Sequence, residues 1–304
     1  MDIRQYKSMK MMYTHMEQVG SIMSLLGEGP VWDDIRQSLL WVDIPSGVIH
    51  EIHPQTAVHR QIRTGEMVGA VALTPQGDMI AALQHGFCMI DRLTGTIKRI
   101  CDPEAHLPGN RFNDGKCDPS GRFWAGTMSM SEDRTDGNLY RIGHDLQPTV
   151  HLSQVTVSNG LAWSNDGRYM YHIDSPTRAV TRYDYHSASG LISGSRTVIT
   201  FSEEDGYPDG MTIDDEGMLW IAHWDGWQLS RWDPASGACI GRISLPVSRV
   251  TSCTFGGEGF EDLYVTSARF GLTDRQLQEQ PLAGALFVIR GTGCRGMAAA
   301  RFGI

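Results

Sequence analysis

One pattern recurs six times along this chain, and a repeat of that length leaves few folds open. The stretch NDGKCDPSGRFWAGTM, residues 113–128, opens on an acidic residue beside a glycine. It then runs through an alternating strand, a short turn containing Gly, and a second alternating strand. SNGLAWSNDGRYMYHID (158–174) and PDGMTIDDEGMLWIAHW (208–224) repeat it closely. GEGPVWDDIRQSLLWVDI (27–44) has one extra turn residue, VGAVALTPQGDMIAAL (68–83) fits, and TSCTFGGEGFEDLYVTSA (251–268) is a looser copy. Most copies are followed by two more strand-like pieces around a turn, as in GNLYRIGHDLQ and WQLSRWDPASGACIGRI. Copies begin every roughly 40 to 50 residues, the spacing of a four-stranded propeller blade. The expectation is an all-β, six-bladed β-propeller: one domain spanning residues 20–304, its blades packed around a central channel. A β-sandwich is the alternative, but it would not need six similar units.

Composition agrees. The 304 residues include 34 Gly, eight Trp and nine Tyr, which suits many short strands joined by tight turns. A net charge of −9 without a basic run argues against a nucleic-acid partner, and no segment is apolar enough to span a membrane. The start, MDIRQYKSMKMMYTHMEQVG, lacks the apolar core of a signal peptide, so residues 1–19 are expected to be a poorly ordered leader. Cys88, Cys101, Cys117, Cys239, Cys253 and Cys294 are scattered with no C-x-x-C pair. They read as small hydrophobes of a protein in the reducing cytoplasm, not as a disulfide frame or a zinc site.

In a propeller the innermost strand of each blade lines the channel, so equivalent positions form a ring at one depth. The residue at the start of that strand is Glu28, Val68, Asp114, Asn159, Asp209 and Thr251 in the six copies. Asp-Gly and Asn-Gly are common turn dipeptides, and one alone means little. Four oxygen-bearing side chains in register mean more. Carboxylates converging on a narrow channel repel one another and resist desolvation, so they call for bound water or a cation. Oxygen ligation favours a hard divalent ion. Arg111 and Asn113, in NRFNDG, fall at the same channel mouth. They would be a surface charge and a turn residue in a purely structural reading. Beside a cation they could instead hydrogen-bond substrate hydroxyls or a developing oxyanion. His223, Trp224 and Trp227, in IAHWDGW, are read as blade packing in preference to pocket lining.

The segments GEGPVWD, LLWVDIPSGVI, RFNDGKCDPSGRFWAGTM, VSNGLAWS, PDGMTIDDEGMLWIA, LPVSRVTSCTFGG and LYVTSAR span nearly the whole chain. Through them the sequence resembles the regucalcin/gluconolactonase family, also called the senescence-marker-protein family. That resemblance implies a six-bladed propeller with one divalent metal ion in the channel, hydrolysing aldonolactones to sugar acids. It maps the metal ligands onto Glu28, Asn159 and Asp209, and the substrate-binding pair onto Arg111 and Asn113. Asp114 would then act through water or through another ligand. Asp209 is the candidate general base, taking a proton from water and returning it to the ring oxygen. The motifs leave the ion open among Ca²⁺, Mg²⁺, Mn²⁺ and Zn²⁺, and also the particular lactone and the oligomeric state. Regucalcin-like members carry a Glu shortly after GTM that helps bind sugar hydroxyls. Here GTMSMSEDRTDGNLY places Ser131 at that position and Glu132 one step on, in a loop that looks shorter than in the animal relatives. The alternatives are a related aryl-ester or organophosphate hydrolase, and a non-enzymatic calcium-binding propeller.

Overall fold

In the computed structural model, which describes residues 15–303, the repeat has a local chemical cause. Asp118 Oδ1 accepts from the backbone N–H of Ser120 (2.9 Å) and Arg122 (3.0 Å), while its Oδ2 accepts from Trp124 Nε1 at 2.9 Å. Asp214 does the same two blades later, accepting from Glu216 N–H (3.1 Å), Met218 N–H (2.9 Å) and Trp220 Nε1 (2.9 Å). The aspartate folds the turn, and the tryptophan it anchors carries the chain into the second strand. Both indoles are buried between blades. This arrangement is what CDPSGRFW and IDDEGMLW share.

Each such turn joins the first two strands of a four-stranded antiparallel sheet, and there are six sheets. The inner strands are Gly27–Asp33, Val68–Leu73, Asn110–Cys117, Ser158–Trp163, Tyr207–Ile213 and Val250–Gly256, one for each of blades one to six. Five blades are built from consecutive strands, so their contacts are local in sequence. The sixth is not. Its inner three strands come from the C-terminal part, and its outermost strand is His15–Met23. That strand pairs antiparallel with Ala285–Arg290, His15 opposite Arg290 and Gln18 opposite Phe287. The expected domain boundary at residue 20 falls inside it. Residues 15–19, read as leader from the sequence, are strand, and residues 1–14 lie outside the described part.

The propeller is sealed in two further ways. At the seam between blades six and one, Thr251 Oγ1 donates to the Gly27 carbonyl at 2.5 Å, and Leu26 bridges to Ala268. Residues 291–303 then cross one end of the channel. The Arg295 carbonyl accepts from Asp215 N–H (2.9 Å) on blade five, and Arg301 pairs with Asp33 (3.0 Å) and Asp34 (2.8 Å) on blade one. Phe302 N–H donates to the Leu73 carbonyl (2.8 Å) on blade two, while its ring is buried in the cluster holding Phe87 and Phe112.

Blades pack through apolar faces, as between blades two and three, where the Phe87 and Phe112 rings lie 4.8 Å apart. The six cysteines are free thiols, and Cys88, Cys117 and Cys253 are buried. Among the described residues no helix is long and apolar enough to cross a membrane. Two buried histidines add an acid sensitivity. Burial pushes His172 and His223 down to about 4 from the usual value near 6.5. Both are neutral when folded and protonate on unfolding, so their contribution is present above pH 6.5 and is lost as pH falls toward 4. Each is expected to cost up to about 3 kcal/mol by pH 4. Denaturant unfolding of metal-free protein between pH 7 and 4 should show this loss, with a shallower slope in His223→Gln. An unchanged slope would remove His223 as a contributor.

Candidate active site

Every inner strand changes register against its neighbour at the same place. The irregularities lie between Glu28 and Val31, Val68 and Ala70, Phe112 and Gly115, Ser158 and Leu161, Pro208 and Met211, and Val250 and Ser252. A bulge re-aims side chains and bends the strand, and here it falls on the ring position of each blade. The glycine after the ring residue has its own reason. A Cβ on Gly160 would lie 2.8 Å from the Asp209 carbonyl oxygen, and one on Gly210 would lie 2.1 Å from Ser252 Oγ. In blades four and five the neighbouring inner strand approaches too closely for a side chain at this position.

The ring residues part company by blade. Glu28, Asp114, Asn159 and Asp209 are only 4–6 % exposed. Glu28, Asn159 and Asp209 line a cavity of about 700 Å³ at one end of the channel, together with Arg111 and Asn113. Asp114 instead lines a second cavity of about 430 Å³ at the end crossed by the C-terminal segment, next to Lys116. Val68 belongs to the apolar core, and Thr251 is engaged in the seam.

A chain of hydrogen bonds fixes the floor of the larger cavity. Arg111 Nη1 donates to Asn113 Oδ1 (2.7 Å), and Asn113 Nδ2 donates to Asn159 Oδ1 (2.9 Å) and the Ser158 carbonyl (2.8 Å). Asn159 Nδ2 donates to Ser175 Oγ (2.8 Å), which donates to the Pro208 carbonyl (2.6 Å) beside Asp209. With its amide nitrogen turned to Ser175, Asn159 presents its oxygen to Asn113 and keeps a second lone pair for another partner. Ser175 was not expected to belong here. Its only signal in the sequence is the Ser-Pro turn after a strand.

Burial and crowding dominate the electrostatics of the floor. Burial first, then the neighbouring carboxylates, push Glu28 and Asp209 well above the usual carboxylate range, and the two are hydrogen-bonded to each other. Burial also raises Asp114, against the pull of Lys116, and lowers Arg111 to about 10, opposed by the charges of Glu132, Glu28 and Asp209. Arg111 therefore stays charged at neutral pH. Two buried carboxylates and an amide oxygen form a hard donor set suited to a divalent ion such as Ca²⁺, Mg²⁺ or Mn²⁺. Elsewhere Asp214, Glu216 and Cys294 converge, but Arg231 already bridges the two carboxylates.

The loop after blade three's second strand separates Ser131 from Glu132. The Ser131 hydroxyl bonds to Ser129 (2.8 Å) and Asp133, whereas Glu132, held at a positive φ of 58°, lines the cavity. The three residues of IAHWDGW also diverge. His223 is buried, bonded to Ser230 Oγ (2.5 Å) and the Asp205 carbonyl (2.8 Å), so it packs within the blade. Trp224 lines the cavity, and Trp227 is exposed.

Fold and floor together define a six-bladed propeller with an oxygen-rich, charge-bearing pocket at one mouth of its channel. Residues 26–269 match the family described as SMP-30/Gluconolactonase/LRE-like region, and the chain belongs to it. YvrE of Bacillus subtilis (strain 168), named as a sugar lactone lactonase, is 39 % identical over 264 residues, covering 87 % of this chain and 90 % of that protein. Regucalcin of Danio rerio is 40 % identical over 274 residues, covering 90 % of this chain and 92 % of its own length. The solved structure of a calcium-binding protein, regucalcin, from Agrobacterium tumefaciens superimposes with a TM-score of 0.90 at 28 % identity, covering 94 % of this chain and 97 % of that one.

Proposed function

We propose that this protein is a divalent-metal-dependent lactonase that hydrolyses aldonolactones to sugar acids. The observation that carries the reading is the convergence of Glu28, Asn159 and Asp209 on one cavity floor, with Arg111 and Asn113 hydrogen-bonded alongside. The relatives named as sugar lactone lactonase and as calcium-binding regucalcin support it.

Glu28, Asn159 and Asp209 would hold the ion through oxygen. A bound divalent cation supplies Lewis-acid polarisation of the lactone carbonyl and lowers the pKa of a nearby water. Asp209 takes the proton from the attacking water and returns it to the ring oxygen as the ester bond opens. Arg111 faces the charge that develops on the carbonyl oxygen, while Asn113, whose two amide hydrogens are taken by Ser158 and Asn159, orients the substrate by accepting from a hydroxyl at Oδ1. Their mutual hydrogen bond holds both in place before substrate arrives, so little ordering is needed on binding. Glu132 sits where it can accept from a sugar hydroxyl.

Proton release from glucono-, galactono-, xylono- and arabinonolactone tests the reading on metal-stripped protein refilled with Ca²⁺, Mg²⁺, Mn²⁺ or Zn²⁺. Turnover that returns with the ion is expected. Tight ion binding with no lactone turnover above background would leave a calcium-binding propeller instead. On a turned-over sugar lactone, Glu132→Gln is expected to raise KM about three- to tenfold with kcat little changed, the pattern of a lost ground-state contact. Unchanged KM would take Glu132 out of the binding site.

A further inference from the structure

The carboxylates and amides of the larger cavity are gathered on its floor and on the blade-three side, and the remaining wall is mostly apolar, with Arg249 and the Tyr207 hydroxyl as its polar groups. Met67, Met130, Tyr207, Trp224 and Phe270 come from four different blades and face the same space. At the mouth, Met130, Tyr207 and Phe270 are 41 %, 42 % and 46 % exposed. Apolar side chains that converge on one concavity with polar groups at its floor are the usual make-up of a small-molecule site.

The rim is also held still. The Arg178 guanidinium stacks on the Tyr207 ring at 3.9 Å, and that of Arg249 stacks on Trp224 at 4.6 Å. Both cations are engaged on the protein, Arg178 with the Gly206 carbonyl (2.6 Å) and Arg249 with Asp225 (3.0 Å). They fix aromatic walls. A cavity of about 700 Å³ is in the range that encloses a drug-sized ligand, and one lactone ring with its hydroxyls occupies only part of it. Hydroxyls carried up against Met67, Met130 and Phe270 would meet a thioether or a ring and no hydrogen-bonding side-chain atom of those residues, at the desolvation cost of unpaired polar groups. An alkyl or aryl group would gain there.

We propose that the same cavity also accepts an amphiphilic lactone, its carbonyl on the Glu28–Asn159–Asp209 floor and an apolar arm against Met67, Met130 and Phe270. This rests on the lactonase reading and extends its substrates beyond the sugar lactones. The step is ordinary hydrolysis: the water oxygen bonds to the carbonyl carbon, the ring C–O bond breaks, and the proton passes to the departing alkoxide to give a hydroxy acid.

The test is a series of δ-lactones bearing linear alkyl arms from methyl to heptyl, with glucono-δ-lactone as reference, on the metal-loaded protein. kcat/KM is expected to rise about two- to fourfold per methylene over the first several carbons, then level off. Phe270→Ser and Met130→Ser, made separately, should each flatten that slope. A slope indistinguishable from zero would overturn the inference. Calorimetric binding of the matching δ-lactams, which are not hydrolysed, reads the arm without turnover. Lactam affinity independent of arm length would overturn it whatever the lactones do. Arm-dependent lactam affinity with no lactone hydrolysis would uphold the apolar subsite and sink the lactonase reading alone.

Discussion

Asp209→Ala is expected to lower metal-dependent lactone turnover by about a thousandfold or more, because one side chain is proposed to hold the ion and to move the proton. The same change should make the metal-free protein more stable. Without a cation, Asp209 is a buried acid pressed against Glu28, and its burial and the charge of Asp114 already disfavour its ionised form. Removing it relieves the cost of burying an ionisable group, which the fold otherwise tolerates, the usual relation between a strained site and its scaffold. Asp209→Asn separates the two roles. It keeps an oxygen donor but offers no proton acceptor, so ion affinity should fall by much less than turnover. Three measurements decide: proton release from a lactone, calorimetric ion binding, and a thermal melt of stripped protein. Turnover within tenfold of the parent would exclude Asp209 from the chemistry.

Arg92→Ala is expected to destabilise the fold by about 3–5 kcal/mol, the range for breaking a buried ion pair from one side. Arg92, just after blade two's third strand, is itself buried and reaches into blade one. Its guanidinium donates to Asp33 Oδ2 (2.5 Å), to both oxygens of Glu51 (2.7 and 3.2 Å) and to Ser38 Oγ (3.1 Å). Loss of the cation would leave two carboxylates stranded between blades. Arg301 also pairs with Asp33, so the C-terminal segment is expected to loosen as well. Arg92→Lys should recover only part of the loss, because an ammonium cannot reproduce the forked contact with Glu51. Chemical denaturation checks the magnitude. A change below 1 kcal/mol in Arg92→Ala would show that water replaces the guanidinium.

What the sequence made legible is what the fold repeats. The blade count, the inner strands and the ring positions all follow from setting similar stretches in register, since equivalent residues in a propeller meet by symmetry. The grouping of Glu28, Asn159 and Asp209 with Arg111 and Asn113 is of this kind. What stayed hidden depends on partners that symmetry does not relate. Arg92 finds Asp33 and Glu51 across a blade boundary, and no spacing within one repeat points to it. Ser175 enters the floor through a turn that only blade four uses. The choice between Ser131 and Glu132 hangs on one residue at positive φ, and the apolar rim is drawn from loops, where the repeat breaks down. The strand His15–Met23 was partly read as leader because its partner lies at the far end of the chain.

That last pairing has a consequence for how the protein is made. During synthesis, strand His15–Met23 is made more than 260 residues before its partner and waits until Ala285–Arg290 has been translated. Five blades can fold as they emerge, each from neighbouring segments, but the sixth cannot complete its sheet until that strand arrives. A product that stops before Ala285 keeps an unpaired strand at one end and an uncovered blade face at the other. Such fragments are sticky and easily recognised by chaperones and proteases. The pairing therefore acts as a late check on the fold: only chains translated through Arg290 can complete the outer half of the sixth blade.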